Sequence, residues 1–158
     1  MYKISILTPE QAVGVWDNVE PYVEQVVGIT HGRATAAETL NRILQDHANL
    51  WIVYDPDGIK ITGFMLTRVN QYAATKLLTV EMLAGDDFDQ WIDQANEALI
   101  LFAKHFECEG LELIGRRGWV KKLRRLHWEE KYTTCQLLFR EPNGKIEPEQ
   151  HTTDINCS

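Results

Sequence analysis

Asp87–Glu107 reads DFDQWIDQANEALILFAKHFE, and its apolar residues Phe88, Trp91, Ile92, Ala95, Leu99, Phe102 and Phe106 return at helical spacing for about five turns. A stripe of that length predicts a helix lying along a core, with Gly110 closing it. Lys76–Leu83, centred on Leu77-Leu78-Thr79-Val80, precedes it as a strand, and Leu111, Leu113 and Ile114 follow as another. A long helix between two strands is the crossover that joins parallel neighbours in one sheet.

The rest of the chain extends this sheet. Tyr2–Leu7 alternates Tyr2, Ile4 and Ile6 on one face, and Thr8-Pro9-Glu10-Gln11 supplies a cap, a first-turn proline and an acidic first turn. The helix that follows carries Ala12, Trp16, Val19, Val23 and Val26, with Pro21 predicted to kink or restart it. Thr35-Ala36-Ala37-Glu38 reads as a reciprocal capping box opening a helix with Leu40, Ile43 and Leu44 inward, ending near Asp46. Leu50–Tyr54 and Ile59–Val69 are strands joined by the turn Asp55-Pro56-Asp57-Gly58. After Ile114 come a short basic helix with Trp119, Leu123 and Leu126 on one stripe and a last strand, Tyr132–Phe139. The order predicts one α/β (α+β) domain over residues 1–140, with a mixed, mostly antiparallel central sheet and helices on both faces. Residues 141–158, with Pro142, Asn143, Gly144 and Pro148 but only Ile146 and Ile155 to bury, are expected to be a disordered tail.

Composition narrows the function classes. The 158 residues are 44% hydrophobic and 25% charged with a formal charge of −7, so polyanions are repelled except by a local basic patch. No apolar stretch approaches the roughly 18 to 20 residues needed to cross a bilayer, and Met1–Ile6 has no secretory pattern, so no membrane role and a cytoplasmic location are expected. Cys108, Cys135 and Cys157 are widely spaced and read as reduced thiols, the first two buried, and the five histidines are scattered, so no metal site is expected.

The run Asp57-Gly58-Ile59-Lys60-Ile61-Thr62-Gly63-Phe64, then Thr79-Val80-Glu81-Met82-Leu83, the amphipathic helix, Leu111-Glu112-Leu113-Ile114 and His127-Trp128 resembles the GNAT acetyltransferase superfamily over roughly Lys3–Phe139. The resemblance implies transfer of acetyl from acetyl-CoA to an amine acceptor, in a cleft where the strands Lys76–Leu83 and Leu111–Ile114 splay apart. It places the cofactor beside Met82, Leu83, Gly85, Asp87 and Phe88, with the pyrophosphate on backbone amides at the start of the long helix. The chain departs from the family pattern there. Leu83-Ala84-Gly85-Asp86-Asp87-Phe88-Asp89 holds one glycine and three carboxylates, and a pyrophosphate about 5 Å from such a charge meets repulsion on the order of several kcal/mol at an effective dielectric near 20. The family tyrosine falls on Leu123, and the family asparagine on Gly115-Arg116 or Arg117. Glu81, in the strand where some relatives carry a catalytic carboxylate, is the remaining acid or base candidate. Asp86 or Asp87 is expected to cap the helix, with Asp89 complementing its dipole.

Charge is segregated along the chain. Gly115–Trp128 holds Arg116, Arg117, Lys121, Lys122, Arg124 and Arg125 without an acid, whereas Leu77–Ala103 holds Glu81, Asp86, Asp87, Asp89, Asp93 and Glu97 without a cation. The six cations form a candidate surface for an anionic macromolecular partner or for self-association through opposite patches. Compact GNAT-like proteins of tailed bacteriophages, some of them internal virion proteins, look similar in Ile114-Gly115-Arg116-Arg117-Gly118-Trp119 and Leu126-His127-Trp128. That second resemblance implies a non-catalytic structural or interaction protein of the host cytoplasm or virion.

Overall fold

The first strand, β1 (Lys3–Ile6), gives way at Thr8 to α1 (Pro9–Val27) in the computed structural model, which describes residues 1–116 and 118–139. Thr8 Oγ1 accepts from the Gln11 amide at 3.2 Å while the Gln11 side chain accepts from the Thr8 amide at 2.9 Å, closing the box that starts the helix. Pro21 neither breaks nor restarts α1. Pro21 lies on the exposed face of α1, and Val19 and Val23 on either side are fully buried. In α2 (Ala36–Leu44) only the hydroxyl half of the expected box forms, Thr35 Oγ1 accepting from the Glu38 amide at 3.1 Å. The buried stripe is Ala36, Thr39 and Ile43, which turns Leu44 outward and leaves Leu40 half-buried.

Four further strands complete the sheet: β2 (Asn49–Tyr54), β3 (Ile61–Gln71), β4 (Lys76–Gly85) and β5 (Gly110–Leu113). Their spatial order is β1-β2-β3-β4-β5, antiparallel throughout except for the parallel pair β4–β5, which α3 (Phe88–His105) connects. Gly110 belongs to β5 and does not close α3; Glu107 takes the left-handed conformation at φ 58° instead. Strand alternation divides the core into two layers. Trp51, Val53, Met65, Leu78, Val80 and Leu83 meet α3 on one face. Leu50, Ile52, Phe64, Leu66 and Met82 meet α1 and α2 on the other. Phe106, expected inward, falls past the end of α3 and is 42% exposed.

A short helix, α4 (Gly118–Leu123), and a 3₁₀ turn, Arg124–Leu126, return the chain to α3. Met1–Trp128 forms one compact unit, and residues 129–139 belong to a second. The strand expected at Tyr132–Phe139 is absent, because high β-propensity makes a strand only where a ladder partner exists. The tail expected at 141–158 lies outside the described residues.

One close approach anchors the sheet. Gly63 and Gly85 face each other across β3 and β4, and Trp91, fully buried, lies over the pair. A Cβ on Gly85 would stand 2.6 Å from both Gly63 Cα and Thr62 O, and one on Gly63 would stand 2.8 Å from Ala84 O. Backbone cannot yield as a side chain tip can, so Gly85→Ala is expected to destabilise by about 1–3 kcal/mol and lower Tm by several degrees. Gly14→Ala, in the interior of α1 with nothing within 4 Å, should raise Tm instead. Thermal melts of the two variants check the assignment; a neutral Gly85→Ala would contradict it.

Candidate functional site

The β4–β5 ladder is short. Its pairs run from Leu77 with Gly110 to Val80 with Leu113, and the Ile114 amide then donates to Val80 O at 3.1 Å. At the next residue β4 bulges: its register against β3 passes from Thr67 with Val80 to Leu66 with Met82, leaving Glu81 as the extra residue. From Glu81 to Gly85 the strand keeps β3 on one side and has no strand on the other among the described residues. Backbone groups that a neighbour would take are thereby offered to an opening.

That opening is a cleft of about 230 Å³. Met82, Leu83, Gly85 and Phe88 line one wall, Ile114, Arg116, Trp119 and Lys122 the other, and Gln25, Val26 and Ile29 from the end of α1 reach it as well. Trp119 closes against Phe88 edge-to-face at 4.5 Å, and Gly115 makes room for it, since a Cβ there would stand 2.9 Å from Trp119 Cδ1. Lys122 Nζ sits 5.3 Å from the Phe88 ring centre, which holds a cation at the cleft wall. Of the residues the resemblance assigned to cofactor, Met82, Leu83, Gly85 and Phe88 are brought together here.

Asp87 is the exception. Neither it nor Asp86 lines the cleft. Asp87 adopts the left-handed conformation, φ 54° and ψ 34°, makes no side-chain cap, and lies beside Tyr2, whose hydroxyl is pushed up by desolvation and then by the Asp87 charge and hydrogen bond. Asp86 accepts from the Tyr22 hydroxyl at 2.9 Å on the α1 side, while its carbonyl accepts from Trp91 Nε1 at 2.8 Å. The expected carboxylate cap at Asp87 is therefore not formed. Asp89 points to solvent, 82% exposed, 4.0 Å from Lys122 Nζ.

Glu81 is held, not free. Arg42 donates to its two oxygens at 2.6 and 3.0 Å, and Arg68 Nε approaches at 3.2 Å, with the carboxylate only 15% exposed. The pairing holds Arg42 more firmly charged than an isolated arginine, the Glu81 hydrogen bond outweighing desolvation. Glu81 lines the cleft, and guanidinium groups occupy three of the roughly four acceptor sites of its carboxylate. Arg42 and Arg68, from α2 and β3, carried no sequence signal, since helix periodicity and strand alternation leave them as surface cations.

The basic segment faces the acidic helix. Arg125 bonds Asp93 at 2.8 Å, Lys122 neighbours Asp89, and Trp128 Nε1 donates to Asn96 Oδ1 at 2.9 Å, so α4 and its 3₁₀ turn are laid on α3 partly by charge. Arg116, Lys121 and Arg124 are exposed without an ion pair among the described residues, and Arg117 lies outside them. Leu123, at the family tyrosine position, is 3% exposed and packs into the core. Cys108 is half-buried, whereas Cys135, expected buried, is exposed because the strand that would cover it does not form. Among the described residues no cluster of three His, Cys, Asp or Glu side chains could hold a metal, and no helix is long and apolar enough to cross a membrane.

Tyr22 ties α1 to the β4–α3 turn, and its hydroxyl is pushed up to about 12 by burial and then by Asp86 and Asp87. A raised phenol favours the folded state below the ordinary tyrosine range near 10, and that contribution is lost as pH rises through about 12. Tyr22→Phe is therefore expected to flatten the decline of Tm between those values. An unchanged alkaline slope would contradict the coupling.

No protein-family model and no curated protein matches the sequence. Solved structures do match the fold. The ribosomal-protein-alanine N-acetyltransferase of Brucella melitensis biovar Abortus 2308 superposes with a TM-score of 0.63 at 13% identity, over 88% of this chain and 100% of that one. Glucosamine-6-phosphate N-acetyltransferase from Arabidopsis thaliana gives 0.59 at 16%, over 88% and 99%. An aminoglycoside acetyltransferase from an uncultured soil metagenomic sample, in complex with sisomicin, gives 0.58 at 16%, over 88% and 97%. At such identities the likeness is one of architecture, and it agrees with the sheet order, the parallel β4–β5 pair and the crossing helix: the chain has the fold of the GNAT N-acetyltransferases.

Proposed function

We propose that the chain binds acetyl-CoA in the cleft between β4 and β5 and transfers the acetyl group to an amine. The observation that carries this reading is the backbone of Glu81–Gly85, paired with β3 but without a β5 partner among the described residues, in a cleft lined by Arg116 and Lys122 and not by Asp86 or Asp87. The donor set suits the cofactor: strand amides and carbonyls for its amide-bearing arm, cations for its phosphates, and the apolar Phe88 and Trp119 between. Cations from the β5–α4 side supply the positive charge that the turn Leu83–Asp89 lacks. When bound, acetyl-CoA supplies an activated thioester.

The chain positions the reactants more than it moves protons. Glu81 holds Arg42 and Arg68 and so fixes α2 against β3 and β4 beside the cleft. With that carboxylate committed, and with no tyrosine, histidine or cysteine lining the cleft among the described residues, the acceptor enters as a free amine that has given its proton to water. Proximity and orientation then supply the main rate gain. The alternative, a non-catalytic phage structural or interaction protein that uses residues 116–125, is weakened by the pairing of Arg125 with Asp93 and the proximity of Lys122 to Asp89.

A thermal melt with acetyl-CoA tests the binding. At 100 times Kd a ligand of the folded state adds about 2.7 kcal/mol, a rise of roughly 5–10 °C for a chain of this size. Arg116→Glu combined with Lys122→Glu should abolish the rise. No shift of the unsubstituted protein at millimolar acetyl-CoA contradicts the reading and favours the non-catalytic one.

The proton account has its own test. With two acceptors whose amines differ in pKa, the pH–rate profiles should be displaced by that difference, each rising with its own free-amine fraction. A single inflection common to both acceptors and lost in Glu81→Gln would return Glu81 to the role of general base.

A further inference from the structure

On the premise that acetyl transfer takes place in the β4–β5 cleft, we infer that the acceptor is a monoamine on an apolar, uncharged body, received by Val26, Ile29, Met82 and Ile114. The cleft lies between two strands of a sheet, so it has a lining on each face, and the two linings differ in chemistry. Leu83, Phe88, Leu113 and Trp119 belong to the α3 layer, where Lys122 lies against the Phe88 ring. Val26, Met82 and Ala84 belong to the α1 layer. Leu111 and Leu113 pack toward α3, so strand alternation puts Ile114 on the α1 side. Ile29 joins it from the turn that ends α1, where its amide donates to Val26 O at 3.0 Å. With the phosphates of the donor drawn to the cations, the α1 side is left to the acceptor.

That side is apolar at its rim. Ile114 is 65% exposed and Ile29 39% exposed, and these two side chains from separate segments line one opening. An apolar lining with few polar groups selects a ligand by its hydrocarbon surface.

The charges nearby are already matched. Among the described residues Glu81 is the one acid lining the cleft, and it is paired with Arg42 and Arg68. The charge of Glu38 also acts on Arg42, so two guanidinium groups are balanced by two carboxylates. Asp86, bonded to the Tyr22 hydroxyl, does not line the cleft. A second ammonium on the acceptor therefore finds no free carboxylate, and desolvating it without a partner is costly. A carboxylate or phosphate on the acceptor meets an apolar rim in the same way. A monoamine loses its only charge with its proton before it enters, which suits a cleft whose one carboxylate is committed.

The experiment measures acetyl transfer from acetyl-CoA to phenethylamine, diaminobutane and β-alanine at equal concentrations of free amine. The expected kcat/KM for phenethylamine exceeds that for each of the others by at least about tenfold. Ile29→Glu and Ile114→Glu each add a carboxylate at the rim, and each should raise KM for phenethylamine and move the preference toward diaminobutane. Both side chains are exposed, so the far-ultraviolet spectrum and Tm should stay as they were. Diaminobutane or β-alanine acetylated as well as phenethylamine would overturn the inference, and so would a preference that neither variant moves. The melt with acetyl-CoA separates the two levels of failure. A protein that acetyl-CoA stabilises but that does not acetylate phenethylamine overturns the acceptor assignment alone. A protein that acetyl-CoA does not stabilise overturns the cofactor reading, and the acceptor assignment with it.

Discussion

Trp91 stacked on the Gly63–Gly85 pair is the interaction on which the site depends. It pins the far end of β4 to β3, and its indole N–H donates to Asp86 O at 2.8 Å, which fixes where the sheet ends and α3 begins. Pinned to β3, β4 follows its bulge at Glu81 away from β5, whose ladder stops at Val80. The cleft is the space left by a strand that cannot keep both neighbours. A tight backbone approach, not a catalytic motif, thus shapes the opening.

Electrostatics follow from the same turn. Because Asp87 is left-handed, the two turn carboxylates leave the cleft, one toward Tyr2 and the other to Tyr22. The acidic face of α3 is then met by Lys122 and Arg125, so the segregation of charge along the sequence becomes local neutralisation in the fold. The cleft lining carries Arg116 and Lys122 as well as the paired Glu81, with strand backbone that has no β5 partner among the described residues. Glu81 lies within this setting already paired with two guanidinium groups.

The sheet order and the crossing helix were legible because each rests on local periodicity. Phe88, Trp91, Ile92, Ala95 and Leu99 declare a buried face of α3 without knowledge of any partner, and Thr8 with Gln11 caps α1 within four residues. The site was legible in position but not in chemistry. Glu81 was readable as a residue of β4, yet its partners Arg42 and Arg68 come from distant segments, and nothing in residues 76–85 announces them. The orientation of Asp86 and Asp87 turns on one φ angle, which two adjacent aspartates do not encode. Pro21 and Tyr132–Phe139 show the converse: a local rule overridden at Pro21 by the packing of Val19 and Val23, and at residues 132–139 by the lack of a ladder partner.

Amide chemical-shift mapping of the isotopically labelled chain with acetyl-CoA tests most directly whether the parted strands form a cofactor cleft. The account predicts perturbations at the amides of Met82–Phe88 and of Ile114, Arg116 and Trp119, on the two walls that face each other. Perturbations absent from both walls, or confined to the exposed face of Lys121 and Arg124, would contradict it.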